Sequence, residues 1–121
     1  MEIYKCEICG NIVEVVHSGA GELVCCGQPM KLIEEKMDDE GSEKHLPVIE
    51  KKENGFLIKV GSIEHPMTNE HYIEFIEVFT DDSVYKKFLE PDEKPEAFFN
   101  VEKIEQVRIY CNVHGAWSNK P

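Results

Sequence analysis

The residues of this chain best able to do chemistry are its cysteines and histidines, five of each. Near the C-terminus, Cys111-Asn112-Val113-His114 places a thiolate and an imidazole three residues apart, close enough to grip one metal ion. Alone the pair carries little, because such spacing arises by chance and a buried cysteine often serves as a small apolar side chain. The other histidines add weight. His45 precedes Leu46-Pro47, His65 precedes Pro66, and His71 follows six residues later. With His114 they make four imidazoles and one thiolate, all in loops or at strand ends, available to a single ion. His17 lies outside any such constellation and reads as an ordinary side chain.

A second set of candidate ligands sits at the N-terminus. Cys6-Glu7-Ile8-Cys9 has the spacing that lets a tight turn present both sulfurs to one ion, and after fifteen residues comes the adjacent pair Cys25-Cys26. Four thiolates close a tetrahedral shell around zinc or iron. Gly10 and Gly27 follow the two pairs directly, where a backbone turning through positive φ wants glycine. A structural zinc ribbon is the plain alternative, but such ribbons usually supply two spaced pairs. Adjacent cysteines impose a strained bite that suits iron at least as well. Five cysteines, an odd number, do not suggest a disulfide framework.

These groups need elements to position them. Residues 1–36 carry the four N-terminal cysteines, with strands expected at 12–16 and 31–34 around the turn Ser18-Gly19-Ala20-Gly21. So small a segment buries little, and a metal must supply much of its folding free energy. The polar run Met37-Asp38-Asp39-Glu40-Gly41-Ser42 marks a boundary, its acidic part a solvated loop. Residues 37–121 then form the second domain, with strand-like runs at 48–51, 56–60, 71–80, 84–89, 97–101 and 106–110. They are separated by turns at Asn54-Gly55, Asp81-Asp82 and Pro91-Asp92. No long run has helical periodicity, so the expected class is all-β, with an antiparallel β-sandwich behind the small module. Alternation sets Val107 and Ile109 against Gln106 and Arg108, and aligns Phe56, Ile58 and Val60 on one face. It blurs over Tyr72–Phe79, a strand expected to be buried on both faces.

Composition excludes several roles. Thirteen basic against twenty-four acidic residues give a net charge of −11, which argues against phosphate-contacting nucleic-acid binding. No run approaches the ~20 apolar residues of a membrane span. Met1-Glu2-Ile3-Tyr4-Lys5 has no apolar leader, so a cytoplasmic setting is expected.

Three stretches resemble the superoxide reductases: Glu43-Lys44-His45-Leu46-Pro47, His65-Pro66-Met67-Thr68-Asn69-Glu70-His71-Tyr72-Ile73 and Tyr110-Cys111-Asn112-Val113-His114-Gly115. With Cys6-x2-Cys9-x15-Cys25-Cys26 in front, the chain from end to end resembles desulfoferrodoxin, the two-iron form of that family. The resemblance implies a desulforedoxin-like module followed by an immunoglobulin-like sandwich, usually as a homodimer. It implies two mononuclear non-haem irons per chain. Cys6, Cys9, Cys25 and Cys26 match the ligands of an Fe(Cys)4 centre. His45, His65, His71 and His114 match four equatorial imidazoles of the second iron, with Cys111 as its axial thiolate. Glu43 matches a carboxylate that takes the sixth position when the iron is ferric, and Lys44 a cation beside that position. The implied partners are superoxide and a small rubredoxin-like electron donor. Phe75 stands where the family often carries Trp, a change expected to alter packing near the iron.

The chemistry fits the residues. Superoxide needs one electron and two protons to become hydrogen peroxide, hence a reducing metal with an open position. Four imidazoles and one thiolate leave that position free. Zinc has no accessible redox step and rarely takes five protein ligands. A chain at −11 repels an anion, which gives Lys44 a local steering role. Two competing readings remain. A zinc-ribbon adaptor leaves four histidines and Cys111 without a purpose, and a pure electron-transfer protein has no need of an open position.

Overall fold

In the computed structural model, which describes residues 1–38 and 40–121, strands of two to three residues account for the N-terminal segment. They are β1 (Ile3–Lys5), β2 (Ile12–Glu14), β3 (Val24–Cys25), β4 (Gln28–Pro29) and β5 (Lys31–Ile33). An antiparallel sheet of order β2-β1-β5 carries a separate β3-β4 hairpin. This unit, Met1–Glu34, buries Ile3 and Cys6 among its described apolar side chains and leaves Ile8, Val16 and Val24 exposed. At ~1.5–3 kcal/mol per fully buried aliphatic side chain, so small a core cannot offset the entropy of ordering the segment.

The second unit, Glu35–Pro121, has a true core. Its elements are β6 (Glu35–Lys36), the single-turn helix α1 (Ser42–His45), β7 (Pro47–Lys52), β8 (Gly55–Val60), β9 (Ile73–Phe79), β10 (Val84–Phe88), β11 (Glu96–Phe99), β12 (Gln106–Cys111) and β13 (Gly115–Asn119). A five-stranded sheet of order β10-β9-β12-β13-β6 and a three-stranded sheet of order β11-β8-β7 make the β-sandwich expected from the turn spacing. Pairing is antiparallel except for β13 with β6. Ile58 and Val60 from one sheet meet Ile73, Ile76, Val78, Val107, Ile109, Cys111 and Trp117 from the other. Among the described residues no helix is long and apolar enough to cross a membrane.

Several local expectations change. Glu35 and Lys36, assigned to the first module in sequence, form a strand of the second, because their partners Ala116 and Trp117 lie 81 residues away and leave no local signal. The short strands β1 and β13 also escaped the sequence pattern. Arg108, expected to point outward, is 2% exposed. It lies directly opposite Glu77 on β9, with its Nε 2.8 Å from the carboxylate, so the charge is paired where it is buried. β9 is buried on both faces, as its blurred alternation suggested. Phe75 stacks on Tyr110 at 5.7 Å, and neither belongs to the core cluster that holds Cys111. Its packing is therefore on the far face of the sheet, not beside the imidazoles. Asp39, in the acidic run expected to be a solvated loop, lies outside the described residues.

Candidate metal centres

In the first unit, the turn after β1 folds back through Cys6 N–H to Asn11 O (2.8 Å) and Gly10 N–H to Cys6 O (2.9 Å), with Gly10 at φ 85°. That turn presents Cys6 and Cys9 to one point. The β3-β4 hairpin presents the adjacent pair, made possible by Cys26 at φ 53° and Gly27 at φ 73°. A non-glycine residue in the left-handed region costs about 1 kcal/mol or more. The four sulfurs lie within 4.8 Å of one another, with Cys9 and Cys25 at 3.6 Å. Backbone N–H groups of Cys9 and Ile8 hold Cys6 down to about 6. The neighbouring Cys9 and Cys6 sulfurs push Cys26 up to about 12. One thiolate is favoured and the last is disfavoured beside the others, which is the electrostatic demand a bound cation would meet.

The second unit builds its cluster from three segments: α1 supplies His45, the β8–β9 connection supplies His65 and His71, and the end of β12 with the turn to β13 supplies Cys111 and His114. α1 is held by Gly61 at the end of β8. A Cβ there would lie 2.9 Å from the Glu43 carbonyl oxygen, so only glycine allows the approach. That carbonyl accepts from Ile63 N–H (2.8 Å) and the Ser62 hydroxyl (3.1 Å). On β9 and β12, a register shift at Tyr110/Cys111 re-aims the end of β12 toward the histidines. Asn112 ties the loops together, accepting from Tyr72 N–H (2.9 Å) and donating to Glu70 O (3.0 Å).

The four imidazoles form a ring. Neighbouring centroids are 4.7 Å (His45–His65), 4.7 Å (His65–His71), 5.0 Å (His71–His114) and 4.8 Å (His114–His45) apart. The diagonal His45–His71 is 6.5 Å, close to that of a square with such sides. Cys111 Sγ comes within 3.5 Å of His65 Nε2 and 3.8 Å of His114 Nδ1. His114 N–H donates to the same sulfur at 3.4 Å. The sulfur side is closed, with Cys111 fully buried, while His114 is exposed and His71 half-buried.

Hydrogen bonding fixes which nitrogens face inward. His45 Nδ1–H donates to Gly41 O at 2.8 Å and His65 Nδ1–H to Pro66 O at 2.6 Å, leaving both Nε2 atoms as bare lone pairs. Those two Nε2 atoms are 3.2 Å apart. No proton is available to bridge them at neutral pH, because burial holds His65 down to about 4 and also lowers His45. His71 Nε2 is buried with no hydrogen-bond partner among the described residues. Burial, then the His114 ring and the Lys44 ammonium, lower His71. Burial pushes the Cys111 thiol up, so its ionisation also calls for a cation. Converging, unprotonated lone pairs are what a metal site requires.

The nine residues read from the sequence as candidate ligands are thus brought together in two clusters. Glu43 contributes its main chain to the scaffold, and its side chain is exposed; Lys44 is exposed, its charge felt at His71. Sequence reasoning missed Trp117, which stacks on His45 at 4.8 Å and 15°, and Lys36 and Asn112. The one available signal was a lone tryptophan three residues after His114.

Comparison with known proteins agrees with this arrangement. Residues 1–33 match the family described as Desulfoferrodoxin, N-terminal domain, and residues 37–120 the family described as Desulfoferrodoxin. A desulfoferrodoxin homolog of Archaeoglobus fulgidus is 57% identical over 120 residues, covering 98% of this chain and 96% of its own. Desulfoferrodoxin of Syntrophotalea carbinolica is 53% identical over 121 residues, covering 99% and 96%. Among solved structures, superoxide reductase from Treponema pallidum superposes with TM-score 0.79 at 27% identity, covering 98% and 96%. With both family matches and both clusters present in one chain, the protein belongs to the desulfoferrodoxin family.

Proposed function

We propose that the chain is a two-iron superoxide reductase, an oxidoreductase that reduces superoxide to hydrogen peroxide without releasing oxygen. The observation that carries the reading is the ring of four imidazoles with bare, inward nitrogens beside one buried thiol, open to solvent on the histidine side. Cys6, Cys9, Cys25 and Cys26 would hold one iron in the first unit. His45, His65, His71, His114 and Cys111 would hold the other. When bound, ferrous iron supplies the electron that superoxide takes together with two protons. The chain's own part is to keep the His45, His65 and His71 imidazoles neutral by burial and to leave one side accessible. Lys44, exposed and near His71, would draw the anion in against the net charge of −11. Glu43, on the same turn as His45, would supply the carboxylate that meets the ferric site.

The need for reduced thiols at both centres supports a cytoplasmic setting. Exposed Ile8 (58%), Val16 (85%) and Val24 (57%) on the first unit support a homodimer, and a rubredoxin-like protein is the donor the family implies. Iron analysis with a visible spectrum, followed by steady-state superoxide consumption, tests the function. Two irons per chain, peroxide formed and no dioxygen released are the expected results. Zinc in the cysteine site with no metal at the imidazoles would overturn it, and dioxygen release would make the protein a dismutase.

A further inference from the structure

The short strand β6 brings a cation to the imidazole cluster. Lys36 is paired with Trp117 of β13. Its ammonium donates to the His114 carbonyl at 2.9 Å and lies 5.4 Å from the centroid of the Trp117 ring. Trp117 donates its indole N–H to the same carbonyl at 3.2 Å and stacks on His45. At its other end, the His114 main chain gives its N–H to Cys111 Sγ. One residue of the ligand loop is thus clamped on both sides, and Lys36, itself half-buried, supplies one jaw.

We propose that Lys36 is a positioning residue of the imidazole–thiolate centre, which holds the His114 main chain in place and adds a fixed positive charge that raises the reduction potential of the metal held there. A fixed cation opposes the oxidised state, which carries one more positive charge than the reduced one. Partial burial limits screening by salt. The ammonium sits on the main chain of His114 and against the Trp117 ring that stacks on His45, so its charge lies beside two residues of the cluster. The inference rests on iron occupying this centre, as proposed above.

Potentiometric titration of K36M and K36R, following the iron absorption of the imidazole–thiolate centre, tests it. The cysteine centre in the same molecule serves as internal reference. K36M removes donor and charge at similar volume, and K36R keeps both. At the potential where the wild-type centre is half reduced, the oxidised-to-reduced ratio in K36M should rise by about five-fold, the size of one partly screened charge outside the ligand set. K36R should stay near the wild type, and the cysteine centre should not move. An unmoved midpoint in K36M, or equal shifts at both centres, overturns the proposal. If K36M takes up no iron at this centre, K36Q, which keeps an N–H donor without charge, decides it: a wild-type midpoint refutes the charge role and a lowered one supports it. A wild-type protein lacking the second iron band would instead sink the proposed function before any variant is compared.

Discussion

Both clusters crowd candidate ligand atoms within 4.8 Å of one another, four sulfurs in one and the donors of His45, His71, Cys111 and His114 in the other, by opposite means. The cysteine cluster is local. Two turns present it, Cys9 and Cys26 are exposed, and the unit around it buries Ile3 and Cys6. The imidazole cluster is assembled from residues as far apart as His45 and His114, on the rim of a core that includes Ile58, Ile76, Ile109 and Trp117. The difference separates two jobs for a metal. In the first unit it closes a fold that its own side chains cannot hold. In the second, the sandwich preforms the site, and the metal neutralises lone pairs already aimed at it.

The largest expected effect follows directly. Removing both metals under reducing conditions should abolish hydrogen-exchange protection in β1, β2 and β5 while β9 and β12 keep theirs. Protection surviving in β1 would erase the contrast. Next is Cys111→Ser, which should remove the thiolate-to-iron absorption of the imidazole centre and leave the cysteine-centre spectrum intact. Superoxide reduction should fall by more than the ~10–100-fold typical of losing an outer partner of a metal site. If both spectra change, the two centres are not independent.

Smaller effects sharpen the second site. Lys44→Ala should lower the second-order rate with superoxide by about three- to ten-fold at low ionic strength and flatten its salt dependence. An unchanged rate at low salt would remove Lys44 from the mechanism. Asn112→Ala deletes the side-chain links to Tyr72 and Glu70 and should destabilise the second unit by about 1–2 kcal/mol in denaturant titration. The cysteine centre's spectrum should be untouched, and a change there would again count against independence.

Much of this site was legible before any coordinates. Metal ligands are chemically distinctive, and Cys6-x2-Cys9 or Cys111-x2-His114 announces itself by spacing. Strands β7 to β12 were visible because alternation and turns at Asn54-Gly55 and Asp81-Asp82 are local signals. The two-residue β6 was not, since it exists only through its pairing with β13. Nor was the burial of Arg108, which depends on Glu77 standing opposite it on another strand.

By itself, then, the sequence determined which atoms can ligate, that there are two clusters, and that the class is all-β. Only the tertiary structure decided that Nε2 of His45 and His65 face each other, because that depends on where the Gly41 and Pro66 carbonyls lie. It alone placed Lys36 and Trp117 against the C-terminal ligand loop. The physical reason is the same in both cases. Ligand identity is a property of single side chains, whereas tautomer, orientation and nearby charge are set by neighbours that the chain brings together only when it folds.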